Sequence, residues 1–134
     1  HSGASGVQIA TRFVATDECD AHINFKKAYV AAKKDDLRII KSPVGLPGRA
    51  IYNTFVEKAE KGLHKIKKCY RCLSTCDPLT TPYCITDALI DSVTGDTDNG
   101  LVFAGSNVYR IDKITTVKEL MQDLVSEAEQ YYEG

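Results

Sequence analysis

Hydrophobic residues recur at helical spacing in four stretches of the chain, and each stretch has charged or polar residues on its other faces. The pattern predicts four helices, over residues 17–34, 49–62, 82–94 and 116–132. For two of these helices, the pattern predicts which residues are buried. The third helix is predicted to bury Ile85, Ala88, Leu89 and Val93, and the fourth Val117, Leu120, Met121, Leu124, Val125 and Ala128.

The ends of these helices are marked by residues with known capping preferences. Thr16 precedes two acidic residues and has the side chain of a helix N-cap. Thr81 followed by Pro82 is a typical helix start, and Gly95 is a typical C-cap. Four residues from Thr116, Thr-Val-Lys-Glu, have the spacing of a capping box.

Three short segments have the composition of strands. Residues 6–14, GVQIATRFV, are rich in β-branched and aromatic residues. Residues 35–43, DDLRIIKSP, and 101–105, LVFAG, are shorter candidates. A single strand leaves its backbone groups unpaired, so residues 6–14 are expected to join a sheet that lies mostly outside this chain. The predicted class is an α-rich α+β fragment of four helices with one or two short strands.

Composition narrows the class of protein. The chain has 134 residues, 43% of them hydrophobic and 26% charged, which is typical of a soluble globular protein. A net charge of −1 argues against nucleic acid and anionic membranes as partners. No apolar run approaches the roughly 20 residues that span a bilayer. We expect a cytoplasmic protein with reduced cysteines.

The N-terminus lacks both an initiator Met and the pattern of a signal peptide. We therefore expect this chain to be part of a longer protein, with His1 and Ser2 as residues of a tag.

Three motifs in order resemble one enzyme family. Residues 3–18 contain Gly-Ala-x-x-Val-Gln-x-Ala-Thr-x-Phe followed by Glu18, residues 45–53 contain Gly-x-x-x-Arg-x-x-x-Asn, and residues 95–105 contain Gly-Asp-x-x-x-Gly-x-x-x-x-Gly. Together they resemble the FMN-dependent nitronate monooxygenases (2-nitropropane dioxygenase-like) and the flavin-type enoyl-acyl-carrier-protein reductases. The resemblance covers nearly the whole chain.

The resemblance implies a parent protein that is a TIM (β/α)8 barrel with a small helical lid domain. Residues 1–16 would be the last barrel strand and phosphate-binding loop, and residues 17–134 the small, mostly helical C-terminal domain. The remainder of the barrel would be the partner of this chain. The parent would use NAD(P)H and a small-molecule or acyl thioester substrate.

The resemblance also assigns site residues. The FMN-binding residues would be Gln8, Ala10, Thr11, Gly105 and Ser106, and the substrate pocket would include Phe103 and Ala104. Ala10 departs from the Gly usual in the family, and a methyl group there fits only if the backbone φ angle stays negative. The family's general acid/base, a His in an earlier barrel loop, has no counterpart here, so the chain alone is expected to be inactive. His22 and His64 are predicted to lie on helices and to face solvent.

Four of the five cysteines lie within sixteen residues, at Cys69, Cys72, Cys76 and Cys84. Four thiolates suit zinc or an iron–sulfur cluster, and Lys65, Lys67, Lys68 and Arg71 would offset their charge. The spacing departs from a pair of Cys-x-x-Cys knuckles, so reduced structural thiols are an alternative, and a redox or disulfide function is a further one. Cys19 is predicted to be a buried helix residue.

Two hypotheses of function follow. The chain is part of an FMN-dependent oxidoreductase, as the resemblance implies, or it is a small Cys-rich, zinc-stabilised binding module.

Overall fold

The computed structural model describes residues 3, 5–66 and 68–132. His1, Ser2, Ala4 and Lys67, which entered the predictions above, lie outside the described residues. The described chain has five α-helices: α1 (Thr11–Val14), α2 (Ile23–Ala31), α3 (Thr54–Glu60), α4 (Ile85–Thr94) and α5 (Val117–Tyr132). It has two strands, β1 (Leu37–Ile40) and β2 (Gly48–Ile51), and single 3-10 turns at Lys34–Asp36 and Val108–Arg110. The α-rich α+β class is confirmed.

A β-hairpin contributes residues to both hydrophobic clusters of the fold. Strands β1 and β2 are antiparallel, with Leu37 opposite Ile51 and Ile40 opposite Gly48. The apolar segment 101–104 runs beside β2, because the Ile51 amide donates to the Val102 carbonyl at 2.9 Å and the Ala104 amide donates to the Arg49 carbonyl at 3.1 Å. The segment predicted as a strand at residues 101–105 thus contributes an isolated bridge rather than a full strand.

Strand β2 and segment 101–104 separate two hydrophobic clusters, because successive side chains of a strand point to opposite faces. Ala50 belongs to one cluster and Ile51 to the other. The buried members of the first are Ile40, Ala50, Phe55, Val56, Tyr83, Ala88 and Leu101. The buried members of the second are Tyr29, Ala32, Ile51, Val102 and Val108.

The strand predicted over residues 6–14 is not present. Residues 6–10 have no regular structure, and Thr11–Val14 forms α1, with the Ala10 carbonyl accepting from the Phe13 amide at 3.0 Å. Val7 is 83% exposed. An extended segment needs neighbouring strands to pair its backbone, and within the described chain none lies beside it. That this segment belongs to a larger sheet stays a prediction.

Helix α2 begins later than predicted, because Thr16 is not its cap. The buried Thr16 hydroxyl donates to the Phe13 carbonyl at 2.7 Å, and the residue pairs with Thr115. The cap is His22, whose Nδ1 accepts from the Asn24 amide at 3.1 Å. A contact distant in sequence therefore overrides a good local capping signal.

Helices α3 and α4 also begin later than predicted. Arg49 lies in β2, and the cap of α3 is Asn53, whose side chain accepts from the Val56 amide at 2.9 Å. The predicted start of α4 at Pro82 is displaced to Ile85, because Tyr83 is buried and its hydroxyl donates to the Lys41 carbonyl at 2.9 Å. That bond holds the chain extended before the helix.

Gly62, after α3, and Gly95, the predicted C-cap of α4, both have the left-handed backbone typical of a helix C-terminus. Gly62 has φ of 66° and Gly95 has φ of 114°. After Gly95, the Asp96 amide donates back to the Asp91 carbonyl at 2.9 Å, which is the longer bond of a Schellman motif. The predicted C-cap at Gly95 is confirmed.

Helix α5 begins with the predicted capping box. The Thr116 hydroxyl accepts from the Glu119 amide at 3.2 Å, and the Glu119 carboxylate accepts from the Thr116 amide at 3.1 Å. The hydroxyl of Thr115 also donates to this carboxylate, and that bond, with those from Thr116, holds the pKa of Glu119 below its usual range.

We expect the first turn of α5 to loosen in acid. A carboxyl group whose pKa is lowered on folding stabilises the fold above its unfolded pKa, and this contribution is lost as pH falls through the folded pKa. Amide exchange of Thr116 and Glu119 should therefore accelerate, relative to the middle of α5, below the ordinary value of 4.5. The E119Q variant is the control and should have much less pH dependence there. Equal pH dependence in both proteins would contradict the role of Glu119.

The outward faces of α4 and α5 carry apolar residues that were predicted to be buried. Helix α4 buries Ala88 and Ser92 instead of Leu89 and Val93, which are exposed. In α5, Leu120 is buried, Val117 and Leu124 are half-buried, and Met121, Val125 and Ala128 are exposed. Hydrophobic periodicity predicted the presence of α2 to α5, but it assigned α4 and α5 wider buried faces than they have. Within the described chain, no helix combines the length and apolar character needed to cross a bilayer.

Candidate functional site

A cavity of about 540 Å³ lies between α1, the segment 105–111 and α5. We call it the Thr11 cavity. Its lining includes all five residues that the resemblance assigned to FMN: Gln8, Ala10, Thr11, Gly105 and Ser106. These come from two parts of the chain that are far apart in sequence, and the fold brings them to one concave surface.

A hydrogen bond joins the two halves of this lining. The Gly105 amide donates to the Thr11 hydroxyl oxygen at 3.0 Å. Gly105 permits this approach, because a Cβ atom built there would lie 2.7 Å from the same oxygen. A threonine hydroxyl that accepts one bond still has its own proton to donate.

Ala10 fits its position for the reason anticipated from the sequence. Its φ angle is −119°, within the range that any L-residue adopts. The methyl group therefore causes no backbone strain where the family usually has Gly.

Two arginines that sequence reasoning did not select also line the Thr11 cavity. They are Arg12 and Arg110, and Glu127 of α5 lies with its carboxylate 3.9 Å from the Arg12 guanidinium. The cavity therefore has two positive groups and one negative group on its walls. Arg12 directly follows Thr11 in the matched motif, which was a usable signal. Arg110 is placed by the turn Val108–Arg110, and no local pattern marked it.

A second cavity, of about 500 Å³, adjoins the first and contains both residues predicted for the substrate pocket, Phe103 and Ala104. We call it the Phe103 cavity. It shares Ala10, Thr11 and Gly105 with the Thr11 cavity. The two cavities therefore form adjoining parts of one concave surface.

Phe103 is held in this wall by two contacts. The hydroxyl of the buried Tyr29 donates to the Phe103 carbonyl. Burial, with a smaller contribution from Cys19, raises the pKa of Tyr29 to about 12, so the hydroxyl keeps its proton at neutral pH. The Phe103 ring lies against Gly48, where an added Cβ would be 2.3 Å from a ring carbon.

The two histidines of the described chain differ in environment. His22 is exposed, as predicted, although it caps α2 rather than lying within it. The prediction for His64 is wrong. The turn at Gly62 folds His64 back onto α3, where its Nε2 lies 3.0 Å from the Phe55 carbonyl and its ring centroid 4.2 Å from that of Phe55. His64 is therefore half-buried against the core.

The four clustered cysteines line one small cavity of about 20 Å³, together with Ile66 and Ile85, and we call it the cysteine cavity. Cys69 and Cys72 are exposed, whereas Cys76 and Cys84 are half-buried. All five cysteines are free thiols, and Cys19 is half-buried in a different part of the fold. Across residues 3, 5–66 and 68–132, no three His, Cys, Asp or Glu side chains already stand in a geometry that could hold a metal ion.

Comparison with known proteins identifies the class. The profile of the nitronate monooxygenase family matches residues 1–127. The chain therefore belongs to the nitronate monooxygenase family, and its cysteine loop is part of the matched region rather than a separate module.

Two solved structures are similar to this chain over 98% of its length. FabK from Thermotoga maritima matches with a TM-score of 0.75 at 26% identity, and a point mutant of the same protein matches with a TM-score of 0.73 at 26% identity. The chain covers 39% and 35% of these two chains, respectively, so it spans little more than a third of their length. A comparison with curated protein sequences found no match.

Proposed function

We propose that this chain is the C-terminal part of an FMN-dependent oxidoreductase of the nitronate monooxygenase or enoyl-acyl-carrier-protein reductase type. In this proposal the Thr11 cavity holds part of the flavin phosphate site, and the Phe103 cavity forms a wall of the substrate pocket. The observation that carries the proposal is the convergence of Gln8, Ala10 and Thr11 with Gly105 and Ser106 on one cavity. Family membership over residues 1–127 supports the same conclusion.

The chemistry of the Thr11 cavity fits a phosphate group. The Thr11 hydroxyl retains a proton to donate, and the guanidinium groups of Arg12 and Arg110 supply positive charge and several N–H donors. Hydrogen bonds between ionised partners are shorter and stronger than neutral ones. Two guanidinium groups against the one Glu127 carboxylate leave the cavity walls net positive, which favours an anion. Bound FMN would supply the redox chemistry. The residues of this chain would bind its phosphate and orient it.

In the parent protein we infer a TIM barrel with residues 1–16 as the last strand and phosphate-binding loop, and residues 17–134 as the small domain over the barrel's C-terminal face. Barrels of this kind commonly bind phosphate through the loops after their last strands. The exposed segment 6–10 would then gain its strand partners from the barrel. We place this enzyme in the cytoplasm, with NAD(P)H and an enoyl thioester, or a nitronate and O₂, as its substrates.

A Thr11→Val change in the full-length protein tests the phosphate site. Valine keeps the shape of threonine but removes the hydroxyl, so one charge-assisted hydrogen bond to phosphate is lost. Such a bond contributes about 1.5–3 kcal/mol, which predicts FMN binding weaker by roughly tenfold or more. The measurement is the Kd for FMN by quenching of flavin fluorescence in reconstituted apoprotein.

The control is Thr94→Val, since Thr94 is exposed on α4 and bonds only carbonyls of its own helix. Its affinity for FMN should equal that of the unmodified protein. A full-length protein that binds no flavin would overturn the proposed function, and unchanged affinity in the Thr11→Val protein would overturn the assigned phosphate site. NAD(P)H oxidation with an enoyl thioester, against O₂ uptake with a nitronate, distinguishes the two activities.

A further inference from the structure

The cysteine cavity differs from the other cavities in both size and lining. Its volume of about 20 Å³ is close to that of a single water-sized sphere, whereas the Thr11 cavity is many times larger. Four of its lining residues carry thiols, and Ile66 and Ile85 close its apolar side. Soft thiolate ligands favour zinc or iron–sulfur clusters. A single zinc ion is the smaller of these two groups, so it requires less rearrangement of a cavity of this size than a cluster of iron and sulfide.

In the turn between Cys69 and Cys72, a backbone amide donates a hydrogen bond to a cysteine sulfur. The Arg71 amide donates to Cys69 Sγ at 3.4 Å. Arg71 has a φ of 53°, the one positive value found among the non-glycine residues described. A left-handed conformation is unfavourable for a residue with a side chain, and such outliers concentrate at functional sites.

Basic side chains occur along the cysteine-containing segment. Lys65, Lys68 and Arg71 are all exposed next to the cysteines. A zinc ion with four thiolates has a net charge of −2, and nearby cations would offset that charge. The charge of the loop therefore complements a zinc–thiolate centre.

We propose that Cys69, Cys72, Cys76 and Cys84 bind one zinc ion. Each thiol gives up its proton to solvent as its sulfur bonds the metal, so binding releases up to four protons and involves no oxidation. In the structure all four cysteines line one cavity, but no three of the described side chains there have the geometry of metal ligands. The described residues between Lys68 and Tyr83 contain no helix or strand, so the loop can tighten around the ion without disrupting regular structure.

The proposed zinc site and the proposed substrate pocket are connected through the start of α4. Cys84 occupies the N-cap position of α4, and the next residue, Ile85, lines both the cysteine cavity and the Phe103 cavity. A bound ion would therefore fix the start of α4 and one wall of that pocket. The zinc site itself does not depend on the flavin proposal.

Zinc titration of the reduced chain, followed by native mass spectrometry, tests the site directly. We expect one zinc per chain. Alkylation with iodoacetamide before and after zinc addition gives a second measurement on the unmodified protein. Zinc should slow modification of the four loop cysteines together and leave the rate at Cys19 unchanged.

Two variants and a matched control define the ligands. Cys72→Ser and Cys76→Ser should each weaken zinc binding by roughly tenfold or more, and Cys19→Ser should leave it unchanged. Less than about one-tenth equivalent of zinc in the saturated chain would overturn the proposal. Equal binding by the Cys72→Ser chain, or a bound iron–sulfur chromophore in place of zinc, would also overturn it.

Discussion

Replacing Gly100 by Ala should destabilise the fold more than any other single methyl addition among the glycines described. A Cβ atom at Gly100 would lie 2.3 Å from the Ser92 backbone nitrogen and 2.6 Å from its Cα. Both are backbone atoms of α4, and Gly100 is itself buried, so the added carbon can be accommodated only by moving the helix. We expect a loss of about 3 kcal/mol in the free energy of unfolding, measured by urea denaturation.

The matched control for Gly100→Ala is Gly6→Ala. No atom lies within 4 Å of a Cβ built at Gly6. This change should alter stability by no more than about 0.5 kcal/mol. If the two variants unfold at the same urea concentration, the close packing of α4 on residue 100 does not contribute to stability as we describe.

Replacing Asn53 by Ala should have an effect of similar size, because one side chain makes three hydrogen bonds. Its oxygen accepts from the Val56 amide at 2.9 Å, and its nitrogen donates to the Thr97 carbonyl at 2.6 Å and the Gly100 carbonyl at 2.8 Å. Alanine removes the cap of α3 and leaves two carbonyls without this donor. We expect a loss of about 3 kcal/mol in the free energy of unfolding by chemical denaturation.

The Asn53→Asp variant separates the two roles of this side chain. A carboxylate still accepts from the Val56 amide, but it cannot donate to the two carbonyls. We therefore expect this variant also to be strongly destabilised. Asn24→Ala, which removes one exposed bond to the Gly95 carbonyl, should cost far less. Stability equal to that of the unmodified chain in Asn53→Asp would show that the cap alone matters.

Features set by adjacent residues were predictable from the sequence. The capping box at Thr116 and the glycine stop at Gly95 involve residues within one or two helical turns, and both are present as expected. Strand β1 was predictable from its apolar and β-branched composition. For the capping box and the glycine stop, the groups that satisfy the backbone lie a few residues away, and the partner of β1 is the next strand along the chain, so local patterns are sufficient.

Helix starts were less predictable where distant residues compete for the same groups. Thr16 has the chemistry of an N-cap, yet it pairs with Thr115 near the start of α5. Tyr83 lies in a good helix start, yet its hydroxyl bonds to Lys41 near the hairpin. No local pattern contains these partners, so the predicted helices began several residues too early.

The candidate site was predictable only in part. The family resemblance selected residues that line the Thr11 and Phe103 cavities, but it gave no reason to include Arg110. Similarly, the spacing of the cysteines could not show whether their side chains meet, because the loop between them has no regular structure. Their common cavity depends on how that loop packs on Ile66 and Ile85.

The hydrogen bond between Gly105 and Thr11 joins residues 94 positions apart. The Thr11 cavity is lined by residues from both ends of this interval. It therefore forms only when the chain between them is folded and the entropy cost of closing the loop has been met. Any ligand of this cavity consequently binds the folded state and not the unfolded state, and it stabilises the fold by mass action. At a ligand concentration about a hundred times its Kd, that stabilisation is about 2.7 kcal/mol. A thermal shift on ligand addition would therefore measure occupancy of the cavity without any catalytic assay.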